Sequence, residues 1–203
     1  MSRRLIAAAA VACAALAAPA ARADSAGAVG ARAGVDDEHE LGARIGLRMG
    51  GGTTPGGLGV AVVYLYRLAD DVWSESVFDM AVGGGGAACF RDRGDAVRCD
   101  HGQLDGFGVG GHTGLRWTLP GKQGFEPFLR GTVGVELVRF GADDLTGIAV
   151  PVVVGGGVRA QVAPRVAVGA QADLHAGIAR MGRGMSGEPH LALAVVLGVD
   201  FVL

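Results

Sequence analysis

After its first two dozen residues this chain has no long apolar run, few aromatics and no excess of basic charge. Gly, Arg or Asp interrupts every later apolar stretch, so none reaches the roughly 20 residues with which a helix crosses a bilayer. Lys and Arg number 18 against 20 Asp and Glu, a formal charge of -2, which leaves no electrostatic case for nucleic acid. Three cysteines are present, and no nearby His or second Cys pair completes a tetrahedral metal set around Cys89 and Cys99. The run Gly155-Gly156-Gly157 lacks both the GxGxxG spacing and a following helix, which excludes a dinucleotide loop and leaves a bend or a crowded wall.

What is present begins with an export signal. Arg3 and Arg4 form a positive n-region, Leu5 to Ala18 an apolar core, and Ala21-Arg22-Ala23 offers small residues where a signal peptidase reads. Residues 1–23 are therefore expected to be removed, leaving Asp24 first. Arg3, Arg4 and Arg22 leave with them, so 15 of the 18 basic residues remain against 20 acidic ones. Cys13 is lost too. Cys89 and Cys99 then bracket a polar segment in a compartment where disulfides form, and a loop-stapling disulfide is expected between them. Residues 24–40, ending in Asp36-Asp37-Glu38-His39-Glu40, have no apolar period and are expected to be a disordered acidic leader.

From residue 41 onward eight segments have strand character, at about 41–50, 57–68, 72–82, 106–118, 126–140, 148–162, 165–178 and 190–203, separated by connectors rich in Gly, Pro and Asp. The period is two rather than 3.6. In the last, Leu191, Leu193, Val195, Leu197, Val199, Phe201 and Leu203 share one face; in the first, Leu41, Ala43, Ile45, Leu47 and Met49 do. The register of 57–68, apolar on both faces, and of 72–82, with Ser74 and Ser76 on its apolar side, is not fixed by pattern. Connectors alternate in character. Ala69-Asp70-Asp71, 119–125 and Ala163-Pro164 are tight, whereas 51–56, 83–105, 141–147 and 179–189 are looser.

A water-facing sheet surface would be rich in Lys, Glu, Thr and Ser, but the face opposite the Leu/Val rows is mostly Gly and Ala with isolated charges. Such a face suits the interior of a small barrel, which side chains must just fill. Arg44, Arg48, Arg67, Arg116, Arg130 and Arg159 can balance Glu75, Asp79, Glu136, Asp173 and Asp200 across a lumen, with His112, Gln161, Gln171 and His175 beside them. The expectation is an all-β, eight-stranded antiparallel up-and-down barrel over 41–203, its apolar face in lipid and its lumen plugged by an ionic network.

With its signal, eight alternating segments, alternating connectors and the ending Val199-Asp200-Phe201-Val202-Leu203, the chain resembles the small outer-membrane barrels of Gram-negative bacteria, the OmpA/OmpX-like architecture. The resemblance implies outer-membrane residence, lipid contact, and recognition of the final strand by the barrel assembly machinery through Phe201 and Leu203. In that architecture an aromatic residue usually ends the strand; here Leu203 does, with Phe201 two places earlier. Tyr64, Tyr66, Phe78, Phe107, Trp117, Phe140 and Phe201 are the aromatics available for interfacial girdles. The segment 83–105 is the expected outward contact surface for a possible ligand. No catalysis and no cofactor are expected, since nothing activates Ser186 beside Glu188 and His190, and His101 with Asp100 and Asp105 makes a thin metal set. Two alternatives stay open: a secreted, lipocalin-like barrel holding an apolar ligand, and a lipid-modifying outer-membrane enzyme.

Overall fold

The computed structural model describes residues 38–203 except 53, 85–87, 92–95, 101–104, 123, 142–144 and 183–186. The described residues form ten strands: β1 (His39–Gly52), β2 (Gly57–Arg67), β3 (Val72–Gly84), β4 (Ala88–Arg91), β5 (Val97–Asp100), β6 (Asp105–Thr118), β7 (Phe125–Phe140), β8 (Leu145–Ala163), β9 (Val166–Met181) and β10 (Glu188–Val202). Eight of them close into one antiparallel barrel in the order β1-β10-β9-β8-β7-β6-β3-β2, and β4 and β5 form a separate hairpin. No helix among the described residues is long and apolar enough to cross a membrane. Each barrel strand pairs with the barrel strands before and after it in the chain, and the circle closes where Leu41 meets Phe201 and Met49 meets Leu193. Closure leaves no unpaired barrel edge, the condition a sheet must meet to reside in hydrocarbon.

Strand length and turn chemistry set the layout. Three connections at one rim are tight: the bend at 68–71, where Leu68 N–H donates to Val72 O, the link 119–124, and the two-residue turn Pro164-Arg165. The opposite rim carries the connection 53–56, the segment holding the β4–β5 hairpin, and the links 141–144 and 182–187. We call these the turn rim and the loop rim; both chain ends of the barrel lie at the turn rim. Residues His39 and Glu40, expected in the leader, are strand: alternation continues two residues further back than the apolar run reveals, and Glu40 points inward and is buried.

The two open registers resolve by the same parity. In β2 Leu58, Val62, Tyr64 and Tyr66 are exposed, while Val63 and Leu65 point inward and pack with Trp73 and Val77 of β3. Ser74 and Ser76 stay on the outer side with Phe78, Met80 and Val82. The β7–β8 ladder pairs residues through Val133↔Val152 and resumes at Glu136↔Ala149. The gap lies opposite Pro151, which has no N–H to give and packs into the interior. Gly155 and Gly157 lie in a crowded wall: a Cβ on the first would collide with the Asp173 carboxylate, and on the second with Gln171 and the Phe128 ring.

Candidate functional site: the lumen and the outer belt

The distribution of polarity is inverted relative to a water-soluble barrel. Leu193, Val195 and Leu197 are 42%, 51% and 62% exposed, whereas Arg48 and Asp173 are 5% and 4% exposed. Exposed apolar side chains run round the barrel, including Ile45 and Leu47 of β1, Phe78 of β3, Val135 and Leu137 of β7, and Val152 and Val154 of β8. Outward aromatics cluster at the turn rim, where Tyr64, Tyr66, Trp117, Phe125 and Phe201 sit near strand ends. Phe140, expected among the girdle aromatics, instead points inward and packs with Val138, Ala149, Ala179 and Met181, because it falls on the same parity as Glu136 and Val138.

The interior is organised in ionic layers. Nearest the turn rim, Arg159 joins Glu40 at 2.6 Å and Glu126 at 2.8 Å, with its guanidinium over the Trp73 ring. The Arg67 guanidinium also lies over that ring. Next, Arg44 meets Asp200 at 2.6 Å. In the middle, Glu75 lies 3.0 Å from Arg116 and 3.3 Å from Arg130, and Arg130 also reaches Asp173 at 3.0 Å; Gln171 donates to the same Asp173 oxygen. Towards the loop rim Arg48 makes a two-pronged contact with Glu136 at 3.0 and 2.8 Å. Two imidazoles stand against the carboxylates of that layer: His190 is 3.2 Å from Glu136, and His112 is 3.1 Å from Asp79. His112 and His175 meet edge to face. Parity and cross-strand register place these partners, since each of the paired arginines projects from the inward face of its strand and meets an acid on an adjacent or facing one.

Arg44, Arg48, Glu75, Asp79, Arg116, Arg130, Glu136, Arg159, Asp173 and Asp200 thus all project into one lumen. Gln161 does not reach it, bonding instead to Pro164 O at the rim. Sequence reasoning missed Glu40, Glu126 and His190 as members of these pairs. Extending the alternation would have found the first two, and His190 shares its face with Asp200. A cavity of about 60 Å³ remains between the middle and loop-side layers, bordered by Arg48, Asp79, His112, Asp173 and His175 and large enough for a few waters. Among the described residues no group of three or more His, Cys, Asp or Glu could hold a metal ion. Ala23, Asp24, His101 and Ser186 lie outside the described residues. Glu188 and His190 share the inward face, with His190 committed to Glu136 and Arg48.

A closed eight-stranded antiparallel barrel with an apolar belt and an ionic interior has the fold of the small outer-membrane barrel proteins. No family model matches the chain, and no curated protein does. Among solved structures it is similar to Neisserial surface protein A, with a TM-score of 0.61 at 12% identity over 82% of this chain and 97% of that one. It also matches Ail, the attachment invasion locus protein of Yersinia pestis, with a TM-score of 0.42 at 12% identity over 80% and 95% of the two chains. The outer membrane protein AlkL matches with a TM-score of 0.45 at 10% identity over 90% and 97%. The first of these carries the comparison, and at that identity it concerns the fold alone.

Proposed function

We infer that this chain is an integral outer-membrane barrel of a Gram-negative bacterium, exported by its 1–23 signal with cleavage between Ala23 and Asp24, and non-catalytic. The observation that carries this reading is the inversion itself: Leu193, Val195 and Leu197 outside, Arg48 and Asp173 inside. In water, so broad an exposed apolar belt would drive aggregation; in lipid it is solvated, and closure of the sheet leaves no free strand edge. A soluble carrier of an apolar ligand needs the opposite arrangement, an apolar lining with Arg44, Arg48, Gln171 and Asp173 in water. The turn rim faces the periplasm in this reading, with Phe201 and Leu203 on the last strand as the signal read by the assembly machinery.

The ionic layers make the lumen a plugged, cross-braced interior rather than a wide pore, so the exchangeable surface is at the loop rim. There the β4–β5 hairpin sets Cys89 and Cys99 directly opposite each other in register. Facing residues of an antiparallel pair have Cα atoms about 4.5–5.5 Å apart, inside the range that a disulfide spans. A stapled hairpin within 83–105 is suited to structural or surface-recognition contacts with a partner.

Fractionation tests the reading. The protein should remain with membranes through carbonate or urea extraction and show heat-modifiable migration on gels; recovery in the periplasmic extract would overturn it. The recognition role fails if removing residues 90–98 leaves every binding phenotype of the cell unchanged, and a lipid-modifying activity lost on Ser186→Ala would make the protein an enzyme.

A further inference from the structure

One stretch of the outer belt is not apolar. Ser74 and Ser76 of β3 and Thr113 of β6 point outward beside Phe78 and Met80, and Ser76 faces Thr113 directly across the ladder. Apart from Thr146 at the loop-side end of β8, these are the outward aliphatic hydroxyls among the described residues of the barrel strands. Ser76 lies four residues from the turn-rim end of β3 and Thr113 five from that of β6, about 10–14 Å along the membrane normal for strands tilted by 35–45°. Acyl chains offer a hydroxyl no partner. Facing each other, Ser76 and Thr113 can satisfy one donor between them, and the second donor is left over. The patch also sets a knob beside a hole. Phe78 pairs in register with Gly111, yet its side chain is 61% exposed and does not fold over that glycine: the nearest atom to a Cβ built on Gly111 is Val77 O, at 4.0 Å. The space over Gly111 is open on the lipid side.

We propose that this face of β3 and β6 is where two copies of the chain pair within the membrane, an inference that rests on the outer-membrane reading. Both copies insert the same way up, so a two-fold axis relating them must run along the membrane normal, and each residue meets the other copy close to its own depth. An axis passing between Ser76 and Thr113 sets Ser76 of each copy against Thr113 of the other, and Phe78 of each against the open space over Gly111 of the other. A hydroxyl both donates and accepts, so the patch is its own complement, which is what a two-fold contact demands. Lipid tails are as apolar as the belt. The contact is therefore held by hydrogen bonds and by close packing of the ring onto a residue without a side chain, and hydrophobic burial contributes little.

The test uses the mature chain with Cys89 and Cys99 replaced by Ser and with Lys122→Cys, exposed in the link between β6 and β7, as the dye site. It is folded into phosphatidylcholine vesicles and checked by heat-modifiable migration. Donor- and acceptor-labelled copies should show energy transfer that falls as lipid is added, and single particles should bleach in two steps. Gly111→Leu fills the hole and has room to do so in a lone barrel, so it should abolish most of the transfer while migration stays heat-modifiable. Ser76→Ala with Thr113→Val should raise the dissociation constant about 10-fold or more, because two-fold symmetry counts each lost hydrogen bond twice. Ala172→Leu, outward on β9 across the barrel, should leave pairing unchanged. A photo-crosslinking side chain placed at Phe78 should join two copies in cell membranes. One bleaching step at every protein-to-lipid ratio overturns the proposal, because the patch then faces lipid alone. Pairing that survives both Gly111→Leu and the hydroxyl variant overturns it too, as does a crosslink from Phe78 that reaches only a different protein. Carbonate extraction is scored separately: release from membranes sinks the barrel reading, whereas a resistant chain counted singly sinks the pairing and leaves the barrel standing.

Discussion

Glu75 is the point in the lumen where one carboxylate serves two guanidinium groups, and replacing it is the most demanding trial of the ionic interior. Its Oε1 is 3.0 Å from Arg116 Nη2 and 3.3 Å from Arg130 Nε, and its Oε2 is 3.2 Å from Arg116 Nε. Arg130 keeps a second acid in Asp173, but beside Glu75 Arg116 has the face of Phe128, 4.4 Å from the ring centre. Glu75→Leu therefore strands one buried cation and leaves the other half compensated. Removing one partner of a buried pair costs about 3–5 kcal/mol, against roughly 0–1 kcal/mol for a solvated surface pair. Adding Arg116→Met removes the stranded charge and substitutes a side chain of similar length, which should return stability to within about 1 kcal/mol of the parent or above it. Urea unfolding of the barrel in lipid vesicles measures both, followed by heat-modifiable migration and by the fluorescence of buried Trp73. A loss below about 1 kcal/mol for Glu75→Leu would mean that water screens the lumen as it does a protein surface. A double variant as unstable as the single one would mean that the stranded charge is not what destabilises. Either result refutes an interior held together by desolvated ion pairs.

Three further outcomes rest on the same geometry. Val195→Arg, at the middle of β10 on the belt, should cost about 2–4 kcal/mol in vesicle unfolding, because mid-membrane is where a lipid-facing cation is dearest. Gly155→Val should lose about 1–3 kcal/mol, since its side chain must displace the Asp173 carboxylate from Arg130; an unchanged unfolding midpoint would show that the wall is not crowded there. The exported protein should resist thiol reagents until reduced and then take up two labels, at Cys89 and Cys99; uptake without reductant would mean that the hairpin is not stapled.

Much of this barrel is legible in one dimension because a strand's side chains alternate from face to face. Once Leu191, Leu193, Val195 and Leu197 fall on one side of β10, His190, Ala192, Ala194 and Asp200 must share the other, wherever the strand goes. The same parity applied to β1 and β9 assigns Arg44, Arg48, Gln171 and Asp173 to a common side, and the tight links at Ala69-Asp70-Asp71 and Ala163-Pro164 suggest the up-and-down order, though the structure places the second turn one residue later, at Pro164-Arg165. Where both faces are apolar, as at Val62 and Val63 of β2, parity has nothing to separate, and only the packing of Val63 and Leu65 against Trp73 chooses the register.

The alternation, the eight segments, the two kinds of connector and the inner faces of β1 and β10, mostly Gly, Ala and isolated charges, are already present in the order of the residues. Those are local properties, carried by each residue and its neighbours two places away. Tertiary structure alone decided which arginine meets which acid, because Arg48 and Glu136, 88 residues apart, come within reach only when the sheet has closed and its stagger is fixed. It also decided that Phe140 turns inward and that Thr54 and Pro55 enter the mouth rather than overhang it. A loop's direction depends on whether the wall opposite leaves a space, and Gly106 and Gly108, on a strand not paired with β1, leave one beside Pro55.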